Sequence, residues 1–345
     1  MSTHSIATAA PLPGPARAGD DDGGKVLPSA GIHGKGKRVR KKKFDSFPYM
    51  LLMPAVLMML VVNLVPIVQG FYMSLLKLNQ YTLSQYLDAP FIGLENYRRV
   101  LFESHSPIRA GLGLALRNTL LYTLAVSVLA VTIGLAVAML LNRDFPGRNL
   151  ARTLLLLPWI VPSYVVGTLW GYMWQRDAGI VNVVLVDWLH LLDEKPFWLL
   201  GSNSFWAIVI PTVWRAWPVM MLIFLAALQA IPEDQYEAAT LDGVGRFKQF
   251  FHITLPMLKP VIVIQFMFQL IDNVYSYNIV SMMFGNGAGH PGEWADLLMP
   301  LLTRQSFSYW FFGQGAAVSF IMMVVMLVFV GVWMKSFKRS MTSEQ

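Results

Sequence analysis

Two groups of residues in this chain have the types and spacing to do chemistry, and the first sits where polar side chains are costly. Arg215 lies in Thr212-Val213-Trp214-Arg215-Ala216-Trp217-Pro218, inside a long apolar run. Asp272 lies in Gln269-Leu270-Ile271-Asp272-Asn273-Val274-Tyr275-Ser276-Tyr277-Asn278, inside another. An arginine in hydrocarbon costs at least about 2.5 kcal/mol, so these groups must face protein or water. Tyr275 and Ser276 follow Asp272 by three and four positions, the spacing that puts side chains on one helix face. Asn273 and Tyr277 share the neighbouring face by the same rule. Trp214, Trp217, Tyr275 and Tyr277 add flat apolar rings. Carboxylate, carboxamide and phenol groups beside such rings suit a hydroxylated, ring-bearing solute: hydroxyls trade hydrogen bonds while the ring's apolar face packs on an aromatic. The same residues also fit a structural reading, an Arg215–Asp272 ion pair or separate pairs with another subunit.

The second group is built for contact rather than binding. Glu237-Ala238-Ala239-Thr240-Leu241-Asp242-Gly243, closing with Ile253-Thr254-Leu255-Pro256, forms a polar hairpin between two strongly apolar runs. Pro232, Glu233 and Asp234 make a helix start, with acids against the positive end of the dipole. Ala238 and Ala239 keep one face thin, and Gly243 supplies the turn. A second helical stretch follows with Phe247, Phe250 and Phe251 as its apolar stripe, and Pro256 is expected to end it.

These groups need a scaffold, and composition says which. The 345 residues are 55% hydrophobic and 14% charged, with mean hydropathy +0.49. An average soluble domain is about one-quarter charged, so this chain lacks the material for a water-facing surface. Cys is absent, which removes disulfides and thiolate metal sites together. The six His residues show no metal-ligand spacing. No phosphate-binding Gly-rich loop ending in Lys-Ser/Thr occurs, so the chain is not expected to hydrolyse ATP and no catalytic residue is assigned. The net charge of +7 is concentrated in Lys35, Lys37, Arg38, Arg40, Lys41, Lys42 and Lys43, just before the first apolar run. That placement fits a topology signal or a contact with anionic lipid, not nucleic acid. Residues 1–34 are rich in Gly, Ala, Pro and Ser. They lack an apolar stretch of signal-peptide length, and 1–44 are expected to form a disordered basic tail.

Six apolar spans follow, at about 48–76, 116–141, 153–173, 205–230, 261–284 and 316–334. Each approaches or exceeds the roughly 20 residues that cross a bilayer. The expected fold is therefore all-α, one polytopic six-span domain over 45–340 with the hairpin between spans four and five. Span three, carrying Pro158 and Pro162, is the least regular. Arg143, Arg148 and Arg152 follow span two, Arg246, Lys248 and Lys259 belong to the hairpin region, and Lys335, Lys338 and Arg339 end span six. The opposite loops balance acids against bases, so both termini and the hairpin are expected in the cytoplasm.

With these residues in hand, the hairpin resembles the cytoplasmic coupling loop of permease subunits in binding-protein-dependent ABC importers. Leu141-Asn142-Arg143-Asp144-Phe145-Pro146-Gly147-Arg148, with Arg152 through Pro158-Trp159, is similar to the span-two to span-three junction of the maltose and glycerol-3-phosphate type. Arg117-Asn118-Thr119 and Leu228-Gln229-Ala230-Ile231-Pro232 also match, so the resemblance covers roughly 45–340. One departure stands out: Phe284 through Gly292 keeps a Gly-rich character without the family's Gly-Gly-Pro signature. The resemblance implies coupling to an ATPase through Glu237, Ala238, Ala239, Asp242, Gly243, Leu255 and Pro256. It also implies a second homologous permease subunit, an ATPase dimer that uses ATP and Mg, an extracytoplasmic solute-binding protein and a location in a bacterial or archaeal inner membrane. The alternatives are an ABC importer for another solute, such as a polyamine or phosphate ester, a secondary transporter, and a membrane-embedded enzyme. No paired mid-membrane acids or inverted repeat favour the second, and no His or acidic cluster favours the third.

Overall fold

A computed structural model of the chain describes residues 47–103, 106–285 and 289–338. The whole 1–44 tail with its basic cluster, His105 and Arg339 lie outside the described residues. Among those residues the architecture is helical, with a single isolated bridge between Leu76 and Phe91. Five helices are long and apolar enough to cross a membrane: Tyr49–Ser74, Ile108–Leu141, Asn203–Gln229, Arg246–Val274 and Phe312–Ser336. A sixth candidate is the pair Arg148–Ile160 and Ser163–Met173, bent by 90° at its break.

The irregularity of span three has a local cause. Pro162 disfavours helical geometry at the residue before it, and Val161 adopts φ −66, ψ 126, in the extended region. Span four carries Pro211 and Pro218 yet stays helical from Asn203 to Gln229. Pro211 has no N–H for the Ala207 carbonyl, and the Trp174 indole Nε1 donates to that carbonyl instead, at 3.1 Å. Spans two and four form the core. Tyr122 and Val126 pack with Ile208 and Val209 in one cluster. Ala138 and Leu141 pack with Met221 and Phe224 in the next. Gly134 permits this approach, since a Cβ there would fall 2.6 Å from Met220 Cβ. The most apolar window of span one, by contrast, is buried nowhere.

Two expectations fail here. Pro256 does not end the hairpin's second helix. Arg246–Gln249 passes through a wider π turn, Phe250–Thr254, straight into Leu255–Val274. The π turn takes up the hydrogen-bonding mismatch that a proline imposes, as such turns do in membrane helices. Span five also fails to run unbroken from 261 to 284. It stops at Val274, and the chain resumes helix only over Asn278–Met283. Tyr275 and Tyr277 are non-helical, at φ −91, ψ 12 and φ −131, ψ −54. Asp272, Tyr275 and Ser276 therefore do not lie along one helix face.

Tertiary contact explains this second break. Asn278–Met283 lies backbone to backbone against Ser163–Met173, over the glycines Gly167 and Gly171. A Cβ on Gly167 would fall 2.5 Å from the Ile279 carbonyl oxygen, and one on Gly171 would fall 3.2 Å from that of Met283. Small residues four apart allow this close approach in membrane helices. Because the obstacle is backbone, Gly167→Ala is expected to cost at least the about 1–3 kcal/mol of core overpacking. The check is the monodisperse yield of detergent-solubilised protein beside Gly113→Ala, where the added Cβ meets nothing within 4 Å. Equal yields would remove this joint from the account.

Candidate functional site

The hairpin is a rigid, exposed turn set on the core. Its first helix, Glu233–Leu241, starts after an extended Pro232 and carries Glu233 and Asp234 in its first turn. It ends in a left-handed glycine cap: Gly243 at φ +76, with its N–H donating to the Thr240 carbonyl at 3.0 Å and that of Val244 to the Ala239 carbonyl at 2.9 Å. These bonds satisfy carbonyls that every helix end leaves open. Gln249 Nε2 then ties the second helix back, donating to Thr240 Oγ1 at 3.0 Å and to the Val244 carbonyl at 2.9 Å. At the base, the Tyr236 hydroxyl meets Thr254 Oγ1 at 2.9 Å. Ile231, Leu228 and Leu258 anchor the base in the lower core, with Tyr236 packed beside them.

What the hairpin presents outward is mixed in chemistry. Glu237, Ala238, Asp242, Gly243 and Pro256 are exposed, while Ala239 and Leu255 are half-buried. Leu241 is 89% exposed and Phe247 80%, so the expected apolar stripe faces outward at its first member. The turn therefore presents bare apolar side chains beside acids, an exposed patch of mixed character.

The span-two to span-three junction serves the same end of the molecule. Arg148 Nε donates to the Leu141 carbonyl at 2.7 Å, and Arg152 Nη2 reaches the same oxygen at 3.5 Å. With its carboxamide turned so that oxygen faces the cations, the orientation its neighbours call for, Gln229 accepts from both guanidinium groups, at 3.1 and 3.2 Å. Two cations thus close the C-terminal ends of spans two and four, where the helix dipoles favour positive charge. The motif holds together the platform on which the hairpin stands.

In the middle of the spans the expected residues separate. Arg215 is half-buried, and its Nε donates to the Val161 carbonyl at 3.2 Å, at the 90° break of span three. Asp272 is exposed on the surface of this chain, and no ion pair joins it to Arg215 among the described residues. Asn273 is 2% exposed, with its carboxamide bonded to Ser127 Oγ at 3.3 Å and Gln269 Oε1 at 3.4 Å. It belongs to the packing between spans two and five, not to an open wall. Trp214 joins a ring cluster, 5.9 Å from Trp170, which lies 5.3 Å from Trp174. Trp217 packs beside the lower core. Tyr275 stays 39% exposed and Tyr277 half-buried.

Sequence reasoning missed Tyr122. Fully buried, its hydroxyl sits between Thr212 Oγ1 at 2.9 Å and Ser276 Oγ at 3.1 Å, joining spans two and four to the break in span five. Its signal was present only as an aromatic in an apolar run. The Arg117-Asn118-Thr119 triplet does have a visible task. Asn118 Nδ2 donates to the carbonyls of Glu293 and Asp296 at 2.7 and 3.2 Å. Thr119 Oγ1 accepts from the Leu298 N–H at 2.9 Å, and Arg117 lies 5.2 Å from the Trp294 ring centre. The triplet clamps span two to the segment between spans five and six.

An all-helical, multi-span scaffold carrying an exposed turn between spans four and five defines a polytopic membrane permease. The chain belongs to the family of binding-protein-dependent transport system inner membrane components, whose profile matches residues 130–343. It is 32% identical over 289 residues to the trehalose/maltose transport system permease protein MalF of Thermococcus litoralis, covering 83% of this chain and 92% of that one. It is 33% identical over 287 residues to the sulfoquinovosyl glycerol transport system permease protein SmoG of Agrobacterium fabrum, covering 83% and 88%. Among solved structures, the bacterial alginate ABC transporter in complex with an alginate pentasaccharide-bound periplasmic protein contains a chain of the same fold. The TM-score is 0.71 at 20% identity, over 86% of this chain and 96% of that one.

Proposed function

We propose that this chain is one permease subunit of an ATP-driven importer for a sugar or related polyol. It pairs with a second, homologous permease, an ATPase dimer and an extracytoplasmic solute-binding protein. Both termini and the hairpin face the cytoplasm, and the chain itself hydrolyses no ATP. The observation that carries this reading is the hairpin: exposed at its tip, locked by Gly243 and Gln249, and continuous with span five through the π turn. Closure of an ATPase pair on such a turn moves spans four and five as rigid levers, which exposes the solute path alternately to each side. Glu237, Ala238, Ala239, Asp242 and Gly243 form the docking face, with Leu255 and Pro256 at its base.

The carbohydrate relatives and the exposed Asp272 and Tyr275 support a path for a hydroxylated ring along span five. Arg215, Trp214, Trp217, Asn273 and Tyr277 shape that path from behind by fixing the two breaks. ATP and Mg act on the partner ATPase. The test is purification from native membranes: a second permease and an ATPase should co-elute in fixed stoichiometry, and reconstituted complex should import sugar only with ATP. Solute uptake by this chain alone, driven by an ion gradient, would replace this reading with a secondary transporter.

A further inference from the structure

The end of span five remote from the hairpin holds a cavity of about 280 Å³, walled by the resumed helix Asn278–Met283 and the segment around Thr303–Ser308. We infer that it is a sugar-ring site in its own right, separate from the span-five path and on the side from which solute arrives. The inference rests on the importer reading and adds a place where solute first lodges.

The chemistry of the walls selects the ligand. Tyr277, Thr303 and Ser308 bring hydroxyls, and Phe284 and Phe307 bring flat apolar faces. Arg304 lines the cavity with a side chain only 10% exposed, and its Nη2 donates to Asp296 Oδ2 at 2.6 Å. A guanidinium carries five N–H donors, and among the described residues that ion pair is its one hydrogen bond. The remaining donors have no acceptor among the described residues. Ser281, on the same wall, is 4% exposed; its hydroxyl and Asp296 Oδ1 have no partner among the described residues, but both atoms are closed off behind the wall. What the cavity offers a polar occupant is therefore the hydroxyls of Tyr277, Thr303 and Ser308 together with the Arg304 donors not spent on Asp296.

Charge and size narrow the class. Asp296 neutralises Arg304, so the cavity offers no net positive charge to an anion. Its volume falls just below the roughly 300–1,000 Å³ of sites that enclose drug-sized ligands. One neutral, hydroxylated ring fits these limits; a chain of rings does not. Because Tyr277 belongs to both the cavity wall and the break in span five, an occupant here bears on the hinge between Val274 and Asn278.

The test uses the full complex in lipid nanodiscs and saturation-transfer difference NMR with glucose, galactose and mannose as probes. Ser308 is exposed at the rim, so Ser308→Trp plugs the cavity without entering the core, and its elution profile should match the parent. At least one probe should give a signal that falls five-fold or more in Ser308→Trp, falls partly in Thr303→Val and persists in Asp272→Asn. A signal equal in parent and Ser308→Trp, or no signal from any of the three, overturns the site. Glucuronate or inorganic phosphate giving the Ser308-sensitive signal in their place overturns the neutral class. ATP-dependent sugar uptake by the same preparation, measured in parallel, keeps the failure of this site distinct from failure of the importer reading.

Discussion

A complex carrying Gly243→Asp is expected to assemble in normal amounts and hydrolyse ATP, while its uptake of solute falls at least ten-fold. Within the subunit the change is mild. A Cβ at Gly243 meets nothing within 4 Å, and the strain of φ +76 on a residue with a side chain is about 1 kcal/mol. The two capping bonds to Thr240 and Ala239 use backbone alone and survive. What changes is the outward face, where a second carboxylate is added next to Asp242, two residues beyond the bare tip at Leu241. A docking face that must exclude water tolerates an uncompensated charge poorly, at about 3–5 kcal/mol where burial is complete. Glu237→Lys, on the exposed side of the same helix, should act alike. Measuring uptake and ATP hydrolysis on one vesicle preparation separates uncoupling from loss of assembly. Uptake at the parent rate in Gly243→Asp would dismiss the hairpin as the coupling element.

Arg215→Ala is expected to lower both subunit abundance and uptake, with no rescue by Asp272→Asn. The sequence left Arg215 between solute contact and a pair with Asp272. The structure gives it a third task, as the donor to the Val161 carbonyl at the break of span three. Losing that donor leaves a carbonyl inside the membrane region without its partner, which costs about 1–3 kcal/mol. That is enough to reduce the folded fraction without abolishing it. Arg215→Lys, shorter and lacking the planar fork, should restore abundance in part. The readouts are membrane content by immunoblot and uptake per unit of inserted protein. Recovery of abundance in the Arg215→Ala, Asp272→Asn double variant would restore the ion pair and remove the break from the explanation.

Much of the scaffold was legible because its cause is local. Runs of apolar residues locate the spans, and Pro162 marks the break in span three because it acts on its own neighbour. The helix start at Pro232 and the turn at Gly243 were also written in single residues. The break in span five was not, because Val261 through Phe284 contains no Pro or Gly before Phe284 to announce it. It depends on partners far away in the chain: Tyr122 and Ser127 on span two, and Gly167 and Gly171 on span three. Pro256 misled for the opposite reason, since a residue that ends helices in water was absorbed by a π turn. The tryptophans flanking Arg215 showed the same limit. Spacing put Trp214 and Trp217 near a polar residue, but only packing reveals that one belongs to a ring cluster and the other to the lower core.

The joint over Gly167 and Gly171 also decides how force can pass through the subunit. Main chain rests on main chain there, and the one side-chain atom beside the contact is the Met282 Cβ, which cannot swing. The second half of span three and the resumed helix of span five therefore behave as one stiff strut. Compliance is left to its two ends, at Val161–Pro162 and at Tyr275–Tyr277. On the proposed coupling, a displacement begun at the hairpin would travel along span five and reach the strut at the second of these pivots. There it would be converted from a push along the helix into a tilt of both segments together. Such a conversion would need no flexible loop: two short bends and a seam of close-packed backbone would suffice.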